Sequence, residues 1–293
     1  MKAAIIVDST AGISQELHQQ PDVYQVDLTI HFPDGSQISD TTDEDINQEF
    51  YEKIKTSHQL PTTSQPQIGL YYELMDDLID EGYDTIYAIH LSGAISGTYQ
   101  SAKLIQQEYK SKVNMYVINT RSASIVMHEL VIRTLSMIED SNISPDAIFD
   151  QLQWIVDHAY LQFMVQDLFN LTKGGRLSYT GALVGSMLKI HPILTFNEAG
   201  ELSLSHKIRT TKKVMKHFQE MVADAKDKFP QGFTVAIAHS NALKLANELK
   251  VIIDDILPEN QTCRVDILTP VLGTHTGEGL FGLGIIPNLP EQR

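Results

Sequence analysis

The apolar run Thr85-Ile86-Tyr87-Ala88-Ile89 is followed, after His90, by Leu91-Ser92-Gly93-Ala94-Ile95-Ser96-Gly97-Thr98-Tyr99. A run that is apolar at consecutive positions, without alternation, reads as a strand buried on both faces, the pattern of a parallel sheet. Small residues and hydroxyls at its carboxyl end open into the helical pattern Tyr99–Tyr109, which predicts a strand–turn–helix. Parallel strands need crossovers, so the chain is constrained toward an α/β fold. Such a turn also aims backbone N–H groups and Ser or Thr oxygens at one spot, a seat for an anionic head group. The same residues describe a well-capped helix start, since serine is a favoured N-cap.

The rest of the first half repeats this alternation. Ala3–Val7 reads as a buried strand ending in Asp8-Ser9-Thr10, and Val23–Ile30 as a half-buried strand leading to a hairpin turn at Phe32-Pro33-Asp34-Gly35-Ser36. Asp43–Lys55 is a helix with acids in its first turn and lysines near its end, matching the helix dipole. Pro61–Pro66 reads as a loop, Ile68–Glu81 as a helix, Val113–Ile118 as a strand and Pro145–His158 as a helix. A domain boundary is placed near Asp157–Gln166.

Beyond it come the glycine turn Lys173-Gly174-Gly175-Arg176, a small-residue helix over Tyr179–Leu188, and an antiparallel pair, Pro192–Phe196 with Leu202–Ile208. Thr210 or Thr211 caps a helix to about Lys226; Phe233–His239, Ala242–Ile256 and Cys263–Leu268 read as strand, helix, strand. A glycine-rich loop, Gly273-Thr274-His275-Thr276-Gly277-Glu278-Gly279, and a short tail complete the reading.

Composition excludes several classes. A net charge of −15 with no basic stripe argues against a nucleic-acid partner. A single cysteine, Cys263, admits no internal disulfide and suits a reducing compartment. No signal-like opening segment and no apolar run of about 20 residues occurs, which predicts a cytoplasmic protein without a membrane span. Walker A, an N-terminal Gly-x-Gly-x-x-Gly and a Cys/His cluster of metal-ligand spacing are absent, so neither a nucleotide cofactor nor a metal is expected. Asp43-Glu44-Asp45 reads as a helix start rather than a metal site.

Three polar loops join the one at 91–99. Thr62-Thr63-Ser64 offers neutral hydroxyls between two prolines, with Ser64 as a helix cap the structural alternative. Arg176 follows Gly174-Gly175, where backbone approach or positive φ is expected, and is suited to a carboxylate, a phosphate or a surface ion pair. His275 lies between Gly273 and Gly277 and belongs to the residue type that titrates near neutrality. One chemical reading is a serine hydrolase or acyltransferase using Ser92 or Ser96 with His275. It lacks a Gly-x-Ser-x-Gly elbow, Ser96 lying in Ala94-Ile95-Ser96-Gly97-Thr98, and no acidic partner is evident for His275. Noncovalent binding of an anion uses the same groups more economically.

Taken in order, these motifs resemble the DegV family of fatty-acid-binding proteins. The resemblance runs through Val7-Asp8-Ser9-Thr10, Thr63-Ser64-Gln65-Pro66, Ile95-Ser96-Gly97-Thr98-Tyr99 and Gly174-Gly175-Arg176-Leu177-Ser178. It continues through His191-Pro192-Ile193-Leu194 and Arg209-Thr210 to Gly273-Thr274-His275-Thr276-Gly277. It implies a doubly wound, mostly parallel α/β domain over residues 1–160 and a smaller α/β domain with a mixed sheet over 161–293, with one long-chain fatty acid between them. It also implies that the protein is no enzyme by itself and takes no cofactor. In some members the bound acid is presented to a separate fatty-acid kinase that forms acyl phosphate. Carried over, Thr63 and Ser96 hold the carboxylate with Ser92 and Thr62 close by, and His275 joins the head-group network. Arg176 and Arg209 lie at the pocket mouth, for head-group charge or kinase docking. Two positions depart from the family pattern: Glu278 where proline is common, and Gly93 where serine is common.

The physics of such a site is demanding. About fifteen buried methylene-sized groups gain at most about 12 kcal/mol gross, much of it cancelled by association and chain ordering. A carboxylate drawn in with them costs several kcal/mol unless its oxygens find donors. Hydroxyls accept the anion or the protonated acid alike, and a cationic His275 would favour the anion. Gly181–Leu188, Phe163, Met164, Val165 and Leu168 are candidates for the apolar wall or for ordinary core.

Overall fold

In the computed structural model, which describes residues 2–57, 59–166, 168–177 and 190–290, every residue of β1 (Ala3–Asp8) and of β6 (Thr85–His90) is buried. They lie side by side in an all-parallel sheet ordered β2 (Val23–Val26), β1, β6, β7 (Asn114–Asn119). Strand side chains alternate between faces, so consecutive apolar residues serve two cores. Ala4, Ile6, Ile86 and Ala88 pack under α3 (Ile68–Asp80) and α4 (Thr98–Tyr109). Ile5, Val7, Tyr87 and Ile89 face α5 (Ile125–Ile138) and α6 (Pro145–His158).

The second sheet is mixed, ordered β10 (Leu202–Ile208), β9 (His191–Phe196), β8 (Tyr160–Met164), β13 (Phe281–Pro287), β11 (Phe233–His239), β12 (Arg264–Ile267). Only β11 and β12 within it run parallel, joined through α9 (Leu243–Asp254); its other pairings are antiparallel. Its outer face, with Met164, Ile237, Phe281 and Leu283, packs against α8 (Thr211–Lys228) and α9. Its inner face, with Phe163, Leu194, Ala238 and Ile286, belongs to the same apolar core as α5 and α6. Gly284 of β13 permits that approach, since a Cβ there would lie 2.7 Å from Ile125 Cδ1; within the sheet, a Cβ at Gly282 would strike Phe163. The chain is therefore a mixed α/β protein in which a parallel sheet and a separate mixed sheet enclose α5 and α6 between them.

A third, small antiparallel sheet, β4 (Gln37–Ser39), β3 (Thr29–His31), β5 (Thr62–Ser64), lies beside α2 (Glu44–Thr56) and α10 (Pro270–Thr276). Asp43 caps α2 by accepting from the Asp45 and Ile46 N–H groups at 3.0 and 3.1 Å. Thr210 caps α8 through the Lys213 N–H. Short helices α1 (Gln15–His18) and α7 (Phe169–Lys173) fill connections.

Several sequence expectations are corrected. The single strand expected over 23–30 is two strands in different sheets, β2 and β3, because the buried Leu28 sits where the chain changes sheet. The 61–66 loop contains β5, whose partner β3 is distant in sequence. The glycine-rich loop at 273–279 begins as α10, started by Pro270 at its first position. The short tail is β13, buried at all seven residues in the middle of the mixed sheet. Helix α5 falls in a stretch that the sequence reading leaves unassigned; apolar on most faces and enclosed by both sheets, it has no one-sided stripe. The helix expected over 179–188, and the pocket wall assigned to 181–188, lie outside the described residues. Among the described residues no helix is long and apolar enough to cross a membrane.

Candidate functional site

A cavity opens where the loop after β6, the inner face of the mixed sheet, the small sheet and α10 converge. The space between its wall atoms, open mouth included, is about 950 Å³. Most of the wall is apolar. Leu161, Phe163, Phe196 and Leu202 come from the mixed sheet, Leu272 from α10 and Leu91 from the β6 loop. Ala238 and Gly282, opposite one another on β11 and β13, also line it, and the absent side chain of Gly282 makes room for Phe163.

Polar groups line this cavity from separate segments, among them Thr63 on β5, Ser96 in the β6–α4 loop, Ser124 before α5, Arg176 after α7, and His275 in the last turn of α10. Thr63 Oγ1 and His275 Nε2 share a hydrogen bond at 2.8 Å across 212 residues of sequence. Arg176 donates from Nε to the Ile95 carbonyl at 3.2 Å and from Nη1 to the Gly174 carbonyl at 2.7 Å, tying the glycine turn to the β6 loop. A Cβ at Gly174 would lie 2.7 Å from His275 Nδ1, so glycine is what lets the turn close on the histidine. The expected positive φ falls on the next residue, Gly175, at +71°.

Burial, reinforced by the Arg176 charge, pushes the His275 pKa down to about 4. The imidazole is therefore neutral at pH 7 and supplies a hydrogen bond rather than a charge. Positive charge at the site comes from Arg176, itself half-buried, with its pKa lowered by desolvation.

Thr63, Ser96, His275 and Arg176 are thus brought together; three other predicted residues stand apart. Ser92 is fully buried, donates to the Gly200 carbonyl at 2.7 Å in the β9–β10 turn, and does not line the cavity. Thr62 is exposed, as strand alternation requires of the neighbour of an inward-facing Thr63. Arg209 is exposed on a separate surface depression with Lys207, Lys213 and Lys216. Ser64 caps no helix; its Oγ lies 2.9 Å from His31 Nε2, and α3 starts from Gln67. Ser96 partly fills the structural alternative, accepting from the Thr98 N–H at 3.3 Å.

Neither departure from the family pattern intrudes on the head-group cluster. Glu278 is paired with Lys55 at 2.9 Å and Asn241 at 2.6 Å. A Cβ at position 93 would come within 2.9 Å of the Gln100 side chain, so glycine suits the packing there.

The sequence reading missed what holds the 91–98 loop. Asp8, fully buried at the end of β1, accepts from the Leu91 N–H at 2.9 Å and from Thr10, and meets His90 Nδ1 at 3.1 Å. Tyr71 OH lies 2.9 Å from the other nitrogen of His90. The signal was available: an acid following a fully apolar strand must find donors if it is buried. The lone Cys263 is buried, and desolvation pushes its thiol up to about 12, which leaves it unreactive.

Comparison with known proteins places this architecture in one family. The model described as "Uncharacterised protein, DegV family" matches residues 2–288. A DegV domain-containing protein of Staphylococcus aureus (strain COL) is 32% identical over 286 residues, covering 98% of each chain. The crystal structure of the fatty acid binding DegV family protein of Streptococcus agalactiae superposes with a TM-score of 0.89 at 29% identity, covering 99% of this chain and 100% of that one. That of DegV, a fatty acid binding protein from Bacillus subtilis, gives 0.86 at 30% identity, covering 98% and 100%. The chain belongs to the DegV family.

Proposed function

We propose that this protein binds one long-chain fatty acid noncovalently in the cavity between the two larger sheets. The carboxylate sits at the Thr63–His275 end, and the chain works in the cytoplasm. The observation that carries the reading is the make-up of the cavity: a mostly apolar wall of leucines and phenylalanines, joined by the hydrogen-bonded Thr63–His275 pair, Ser96 and one arginine. The acyl chain gains about 0.8 kcal/mol per buried methylene, and the Thr63 and Ser96 hydroxyls with Arg176 offset desolvation of the carboxylate. Crystal structures of DegV proteins at 29% and 30% identity are of fatty-acid-binding proteins, which supports the same ligand class here.

The hydrolase reading is not favoured. His275 Nε2 bonds Thr63, Ser92 donates to a backbone carbonyl, and Ser96 Oγ lies 3.0 Å from Thr98 Oγ1, so each serine has a partner other than the histidine.

We further propose that the bound carboxylate is presented to a separate fatty-acid kinase protein. Lys207, Arg209, Lys213 and Lys216 with a single acid, Glu220, make a basic patch on a chain of net charge −15, which suits an acidic docking partner.

Native mass spectrometry of the purified protein, followed by denaturation and identification of what dissociates, tests the ligand. One fatty acid per chain is expected. A protein that is empty and also takes up no palmitate or oleate would end the proposal. The double variant T63A/S96A is expected to fold normally and to lose fatty acid at least tenfold faster, each lost hydrogen bond to a charged group contributing about 1.5–3 kcal/mol.

A further inference from the structure

Asp40 follows β4 and is 3% exposed, an expensive place for a carboxyl group. Its backbone N–H donates to the Leu28 carbonyl at 2.9 Å, closing the small sheet. Its Oδ1 accepts the N–H of Val271 at 2.8 Å, across 231 residues of sequence. Val271 is the second residue of α10. Thr269, at the N-cap position of that helix, makes no side-chain capping bond, and Pro270 has no N–H to satisfy. The residue that follows β4 therefore does the capping that the helix's own sequence leaves undone.

The other end of α10 returns to the same sheet, where His275 meets Thr63 on β5. The seven-residue helix is thus pinned to one three-stranded sheet at both ends, by Asp40 at its first turn and by Thr63 at its last. Its middle packs closely: a Cβ at Gly273 would lie 3.1 Å from the Tyr51 ring and 3.2 Å from that of Phe50. A helix this short has little stability of its own, so losing the first-turn bond is felt at the last turn.

We propose that Asp40 is a positioning residue for the head-group site, setting His275 against Thr63 by capping α10 from the small sheet. Its effect on ligand rests on the fatty-acid reading; its effect on His275 does not. Burial pushes the Asp40 carboxyl up to about 7, with the nearby Asp8 charge adding to the rise and the bond from the Val271 N–H opposing it. Either protonation form keeps an acceptor oxygen for the Val271 N–H, so an amide should serve as well as the acid.

The test compares Asp40→Leu, which keeps volume but removes the acceptor, with Asp40→Asn, which keeps it. Histidine-selective ¹⁵N spectra of the lipid-free protein should show the His275 ring displaced in Asp40→Leu and unmoved in Asp40→Asn. His217, bonded to Gln162 on the far side of the mixed sheet, should be unmoved in both. Palmitate binding should weaken about tenfold in Asp40→Leu, the change that an ordinary lost helix cap produces, and by less than about twofold in Asp40→Asn.

A folded Asp40→Leu with wild-type His275 signals overturns the proposal. So does Asp40→Asn with displaced ones, a result that stands even if both Asp40→Leu and the less crowded Asp40→Ala fail to fold. If the wild type binds no palmitate, the fatty-acid reading fails while the spectra still decide the role of Asp40.

Discussion

At the scale of single residues, the head-group cluster is made from side chains whose meaning depends on who meets whom. His275 in isolation is a near-neutral titrating group; enclosed beside Arg176, its pKa falls from the ordinary 6.5 to about 4. A histidine with a depressed pKa leaves stability untouched above pH 6.5, where both states are neutral. As pH falls from 6.5 to 4 the unfolded chain takes up a proton that the folded one refuses, so folding stability should drop by up to about 3 kcal/mol. Urea unfolding at pH 7 and pH 4.5, in the wild type and in His275→Gln, checks this. The wild type should lose more stability than the variant over that interval, and equal losses would show that His275 is not buried as neutral imidazole.

Among the elements, α5 does most to join the halves of the molecule. Ile125, Val126, Met127, Leu130 and Val131 all lie in the core shared by β1 and β6 on one side and by β8, β11 and β13 on the other. Leu130→Ala should therefore cost about 2–5 kcal/mol, the range for a fully buried leucine. Both sheets should still melt in one transition. Hydrogen exchange followed strand by strand checks this, since a shared core predicts equal losses of protection in β1 and β11. A loss confined to one sheet would mean that the halves unfold independently. The Glu129 carboxylate strengthens the link by accepting from Arg133 at 2.8 Å and from Thr234 on β11 at 3.0 Å.

For the whole molecule, a cavity lined by the mixed sheet, the small sheet, α10 and the loops after β6 and β7 couples ligand to global stability. A ligand bound by the folded state alone stabilises it by about 2.7 kcal/mol at a hundred times its Kd. Delipidated protein should then melt several degrees lower than protein refilled with one equivalent of oleate, as read by calorimetry. Identical melting curves would show that the folded protein does not bind oleate.

Local physics determined much of this protein from sequence alone. The buried parallel strands β1, β6 and β7, the helix over 145–158, the β9–β10 pair and the Thr210 cap each follow from a pattern contained within one element. So do the ordered motifs that mark the family. Thr63, Ser96, Arg176 and His275 were legible as candidates because each falls in a stretch of unusual local composition.

What stayed hidden depends on partners distant in the chain. β5 is a strand because β3 pairs with it, and β13 is central because β8 and β11 flank it. α5 shows no single apolar face because it is covered on several sides. The division of the serines, Ser96 lining the cavity and Ser92 held by Gly200, was likewise decided by the fold. Burial and pairing are properties of neighbours in space, and sequence spacing specifies only neighbours along one helix or strand.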